Sequence, residues 1–239
     1  MSHFDYKPFY RRNLPHIQPS GATLFVTFHL AGSLPQRILE QWKAEKSRLL
    51  KSQNDSHFVA SKRIAFGQKQ EHHEWRRQWF QKFEKTLDNA QNGPLWLKDE
   101  RVAEQIAESL HYRDGKVYRL DAYCIMANHV HIVFAPLPIE PSETNTVDSH
   151  DNTAQTNSLC YNTLSSIMQS LKGYTARKAN PLLERSGAFW HHESYDHVVR
   201  NASEWRRIIT YVLNNPVKAG LVDKWEKWRW SYYRQGFLP

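Results

Sequence analysis

The chain has 239 residues, enough for one full hydrophobic core or a compact core plus an insertion. No apolar run approaches the ~18–20 residues that span a bilayer. Residues 1–12 lack the apolar segment of a secretion signal, and two cysteines, Cys124 and Cys160, are too few for a disulfide framework and lack metal-ligand spacing, so a reducing, cytoplasmic compartment is expected. A net charge of +8 suits a polyanionic partner, because neutralised phosphates release counterions, and nine Trp offer surfaces for unpaired bases as well as for a core.

The first strand signal covers residues 23–30: Leu24, Val26, Phe28 and Leu30 share one face, and Thr23, Phe25, Thr27 and His29 the other. Residues 36 to about 90 are charged, Gln-rich and helical in pattern, with Trp75, Trp79, Phe83 and Leu87 recurring every four residues, and read as an insertion. Val102, Ile106 and Leu110 mark a short amphipathic helix, and Asp114-Gly115 a turn. The alternation over 116–136, broken at Ala127-Asn128, gives two strands joined by a tight turn. Residues 140–157, rich in Pro, Ser, Thr, Asn and Asp, read as an exposed flexible loop.

Leu164, Ile167, Met168 and Leu171 mark a second helix, and residues 188–199 a strand. Asn201 or Ser203 caps a third helix whose buried stripe is Trp205, Ile208, Ile209 and Val212 and which Pro216 ends. The tryptophans at 225, 228 and 230 are expected to close the core or cap a sheet edge. The order strand, helix, strand, strand, helix, strand implies an α+β protein with a ferredoxin-like (RRM-like) layered antiparallel sheet, to which the last helix and the insertion are additions.

Two features carry chemistry. His129 and His131 are two apart on a strand, so both imidazoles leave one face while Val130, Ile132 and Phe134 enter the core on the other. Such a pair can chelate one divalent ion, but the spacing alone is not specific, and two surface histidines on a strand are its more ordinary reading. Tyr211 and Asn215 lie four apart near the end of the third helix, on nearly one face, turned from its apolar stripe. That suits a nucleophile beside an amide ligand, or a surface tyrosine; Pro216 pushes Asn215 away from helical geometry.

The segments LDAYCIMANHVH (120–131), LKGYT (171–175) and YVLNNPVKAG (211–220) together resemble the single-tyrosine HUH transposases (His-hydrophobic-His), and most closely the REP-associated tyrosine transposase group. The resemblance covers most of residues 20–235 and implies one such domain over 1–239, with the 36–90 insertion and the 140–157 loop as departures. It implies that His129, His131 and Asn215 bind Mg²⁺ or Mn²⁺ and that Tyr211 is the nucleophile. The implied reaction nicks and transfers single-stranded DNA through a 5′-phosphotyrosine, on hairpin-forming, REP-like DNA. Partners would be hairpin DNA and no membrane, the protein acting as monomer or homodimer in the cytoplasm, at the nucleoid. Lys172, Arg177, Lys178, Arg185, Arg200, Arg206 and Arg207 are candidates for backbone contact, and Arg11 and Arg12 for a hairpin groove; plain surface charge is the alternative for all nine. Tyr174 reads as packing or DNA contact, and His29 as bordering the site. Two other function classes remain open: a domesticated binder of structured nucleic acid, and a metal phosphoesterase that uses water in place of tyrosine.

Overall fold

The computed structural model of the protein describes residues 21–35, 37, 38, 40, 41, 44, 78–88, 93–139 and 161–236. Arg11, Arg12, most of the expected insertion and the 140–157 loop lie outside the described residues. The protein is α+β. Strands β1 (Leu24–His29), β2 (Tyr118–Ile125), β3 (His129–Pro136), β4 (Tyr195–Val198) and β5 (Ser231–Tyr233) form one antiparallel sheet in the order β4-β1-β3-β2-β5. The helices are α1 (residues 78–88), α2 (Glu100–Arg113), α3 (Leu164–Leu182), α4 (Ala202–Leu213) and a single turn, α5 (Asn215–Lys218).

The central strands are buried on both faces, because helices cover both. Leu24, Val26, Phe28 and Leu30 meet Val102, Ile106 and Leu110 of α2 and Leu164, Ile167 and Leu171 of α3. On the opposite face Phe25, Cys124 and Val133 pack against Phe83 and Leu87 of α1 and Ile209 and Val212 of α4. The alternation of β2 changes phase at Asp121, where a bulge interrupts its register with β3. Leu120 therefore faces the first cluster, and Ala122 and Cys124 the second. The Asp121 carboxylate is satisfied by Arg119 at 2.9 Å and by Trp205 Nε1 at 2.9 Å, which ties α4 to the sheet.

The helices start and stop for local reasons. Asp99 accepts from Arg101 N at the head of α2, and Gly115, at φ 75°, takes the left-handed turn beyond its end. Asn201 caps α4 by accepting from Glu204 N at 2.8 Å. At the far end, Pro216 has no N–H to extend α4; the helix stops at Leu213 and the chain restarts as α5, with the proline in its first turn.

Two expectations need correction. The strand over 188–199 is confined to Tyr195–Val198, with one bridge from Trp190 to Leu30. The carbonyls of His191, His192 and Glu193 turn to the Lys172 ammonium at 2.9, 3.3 and 3.1 Å and are lost to any ladder. The C-terminal tryptophans do cap a sheet edge, but they also lead into a fifth strand on the outside of β2, with Trp228 Nε1 donating to Ile125 O at 3.0 Å.

Phe28 is fully buried with its ring 4.8 Å from Trp190. Phe28→Ala is expected to cost about 3–5 kcal/mol, read as a lower urea midpoint with unchanged far-ultraviolet circular dichroism.

Candidate metal and tyrosine site

His129 and His131 project from β3 on the side of α1 and α4, opposite His29 and Thr27 of β1. They are not surface residues: their exposures are 1% and 0%. The two Nε2 atoms face each other at 3.1 Å. Two ligand nitrogens on adjacent corners of an octahedron with bonds of about 2.1 Å stand about 3.0 Å apart. The tautomer of His129 is fixed by its neighbour. Asn128 Nδ2 donates to Leu87 O at 3.0 Å, so its Oδ1 faces His129 Nδ1 at 2.7 Å and accepts that proton. His129 Nε2 is left with its lone pair toward His131. The His131 ring is held by Thr27 Oγ1 at Nδ1, 2.8 Å away.

Two further side chains close on His131 Nε2. Asn215 Nδ2 lies 3.0 Å away, and Asn215 Oδ1 is buried without a hydrogen-bond partner. The two atoms exchange places when the amide rotates, so an oxygen ligand can face the histidines. Glu84 Oε2 of α1 lies 3.4 Å away, while Glu84 Oε1 is also buried and unpartnered. The donor set of Glu84, His129 and His131 converges within 4.8 Å. Each orphaned oxygen costs about 1–3 kcal/mol. Neutral imidazoles, a carboxylate and an amide suit a divalent cation, so these residues fit one.

Its place on α4, away from the apolar stripe, implies a solvent-facing Tyr211, and the structure corrects that. Its ring is half-buried against the second cluster, 5.6 Å from the His131 ring and 6.1 Å from Phe25, because α1 lies over that face of α4. Its hydroxyl donates to Glu84 Oε2. Tyr211, Asn215 and the histidine pair thus belong to one cluster within one chain.

Burial sets the protonation of the group. It lowers His129 to about 3 and holds His131 well below the ordinary imidazole range, with Lys218 acting in the same sense on both. Burial pushes Glu84 up to about 8 against the Tyr211 hydrogen bond, with Asp88 raising it further. The Tyr211 phenol is raised strongly, first by burial and then by Glu84. In this state the imidazoles are neutral and the phenol keeps its proton.

The other expected residues are dispersed. Lys172 tethers the segment after Trp190. Arg185 lies 3.7 Å over the Trp96 ring and bonds to Asn180 and Ala188. Arg177, Lys178, Arg200, Arg206 and Arg207 are exposed, and Arg207 lies 3.5 Å from Glu204. Tyr174 is partly exposed beside Arg113 and Lys178. His29 borders the site, buried and stacked on His191 at 4.6 Å. Glu84 and Asn128 were missed. Glu84 is an acid in the apolar register Phe80, Phe83, Leu87, and that is the signal in the sequence.

No family model and no curated protein matches the chain. Among solved structures, one of a REP-associated tyrosine transposase bound to a REP hairpin aligns with 94% of this chain and 82% of its own, at 14% identity and a TM-score of 0.41. Among the described residues no helix is long and apolar enough to cross a membrane.

The shifts set a pH dependence for the metal-free protein. Glu84 moves from 4.5 unfolded to about 8 folded, so the folded state holds the extra proton and stability falls as pH rises across that window. His129 moves from 6.5 to about 3, so stability rises with pH up to 6.5. Above 6.5 only the Glu84 slope remains of the two. Thermal melts in chelator are expected to fall from pH 6.5 to 8 in wild type and to flatten in Glu84→Gln.

Proposed function

We propose that this chain nicks and rejoins single-stranded DNA, with Tyr211 as nucleophile and a divalent metal held by His129, His131 and Asn215. One observation carries the reading: the second imidazole, an amide and a carboxyl from distant parts of the chain gather around His131 Nε2, and that carboxyl accepts from the Tyr211 hydroxyl. The strand order 4-1-3-2, with α2 between β1 and β2 and α3 between β3 and β4, supports a ferredoxin-like core to which α4 is added. The segments around 120–131, 171–175 and 211–220, which resemble the REP-associated tyrosine transposases, support hairpin-forming DNA as the substrate.

A bound Mg²⁺ or Mn²⁺ supplies Lewis acidity at the scissile phosphate. Asn128 and Thr27 hold the two imidazoles in place for it. Tyr211 Oη forms the bond to phosphorus as the bond to the 3′ oxygen breaks; the phenolic proton is released and the 3′ oxygen takes one up. The covalent 5′-phosphotyrosine conserves the phosphoester for rejoining by a 3′-hydroxyl. An ordinary phenol at pH 7 is about 0.1% ionised, a cost of about 4 kcal/mol, and burial of Tyr211 adds to that cost here. Because histidines and tyrosine come from one chain, the arrangement supports use of the tyrosine in cis. The exposed Arg177, Lys178, Arg200, Arg206 and Arg207 would follow the strand's backbone.

A second reading has its own observation. Glu84, His129 and His131 form a carboxylate-imidazole group of the kind that activates water, which would make the protein a metal phosphoesterase without a covalent step.

Incubation with Mn²⁺ and end-labelled single strands flanking the gene is expected to give a protein-linked strand on a denaturing gel. Tyr211→Phe should abolish it, and Asn128→Ala should weaken Mn²⁺ about 10–100-fold. Cleavage that survives Tyr211→Phe without an adduct would favour the phosphoesterase.

A further inference from the structure

Helix α1 stands between the site and solvent. With it in place Glu84, His129 and His131 are at most 3% exposed, and the Tyr211 hydroxyl is taken by Glu84. The way α1 is seated is unusual for a permanent wall. Three oxygens at its seam, Glu84 Oε1, Asp88 Oδ1 and Asn215 Oδ1, are buried without hydrogen bonds. Its aromatic residues lie flat against the body: the Phe80 ring stacks on Tyr195 at 4.2 Å, Trp79 lies parallel to Tyr195 at 5.8 Å, and Phe25 meets Phe80 edge-on at 5.6 Å. One helical turn beyond Phe80, on the same face, Glu84 places a carboxyl beside His131 and on the Tyr211 hydroxyl. Flat rings followed by an acidic oxygen group present the same chemistry, in the same order, as the unstacked bases and phosphate of a single strand.

We propose that α1 occupies the place of the substrate strand. Bases stack on Tyr195 where Trp79 and Phe80 now lie, with Phe25 meeting them edge-on, and the scissile phosphate takes the position of the Glu84 carboxyl. Until a strand displaces α1, the Tyr211 hydroxyl stays hydrogen-bonded to Glu84, so the nucleophile is released only when DNA is present. The inference rests on the single-strand reading above and adds to it a binding site and a means of control.

The Asp88–Lys218 ion pair, at 3.2 Å, joins α1 to α5 and offers a place to test this. Asp88→Cys/Lys218→Cys, in a Cys160→Ser background, would be joined by a short thiol-reactive linker that contains a reducible disulfide; the native Cys124 is buried. The unlinked double-cysteine protein is expected to form the adduct. Linking should lower it at least 100-fold, and reduction of the linker should restore it, which excludes misfolding as the cause. In parallel, hydrogen exchange on Tyr211→Phe should show faster exchange over residues 78–88 when single strand is added. An adduct at equal rates with and without the linker, or unchanged exchange over 78–88 with strand bound, would overturn the cover and leave the function intact. No adduct from either form would overturn the functional reading, and this inference with it.

Discussion

The site depends on a pair of imidazoles that face each other across 3.1 Å inside an apolar layer. Burial keeps both neutral, and the hydrogen bonds at their far nitrogens keep both aimed at one point. While α1 is in place, the Asn128 amide is anchored on Leu87 O and so can only accept from His129. That bond links the tight turn before β3 to α1. The residue that orients the first histidine and the helix that covers it are therefore held by the same contact.

The sheet supplies the rest of the rigidity. β3 lies between β1 and β2, so the backbone under both histidines is fixed by ladders on either side. Phe28 of β1 and Ile132 and Phe134 of β3 bind the sheet's other face to α2 and α3. The second face is different in kind. There the apolar contacts of Phe25, Phe83, Val133 and Val212 surround a polar cluster of His129, His131, Glu84 and Asn215. The stable layer holds the geometry, and the candidate site sits where α1 and α4 close over the sheet.

Much of this arrangement was legible from residues alone. The alternation of β1 and β3 placed Leu24, Val26 and Phe28 on one side and His129 and His131 on the other, because strand periodicity admits few alternatives. The stripe Ile208, Ile209 and Val212 oriented α4, and the four-residue interval brought Asn215 to the same side as Tyr211. What was not legible depends on contacts between distant segments. Tyr211 looked solvent-facing because its own helix says nothing about α1 lying over it. Glu84 looked like one more charge in a charged insertion until Phe83 and Leu87 fixed which side of α1 is buried. The stretch at 188–199 scored as a strand because its side chains suit one, while the Lys172 ammonium that claims its carbonyls comes from another element. β5, with three residues, is too short to leave a periodic signal.

The proposed role of His129 and His131 is to hold one divalent ion jointly beside Tyr211. Pulsed electron paramagnetic resonance of the protein loaded with Mn²⁺ tests it most directly, because modulation from directly bound nitrogen counts the imidazole ligands. Two histidine nitrogens in wild type, falling to one in His129→Ala, is the predicted result. A spectrum with oxygen ligands alone, unchanged by that substitution, would contradict the account.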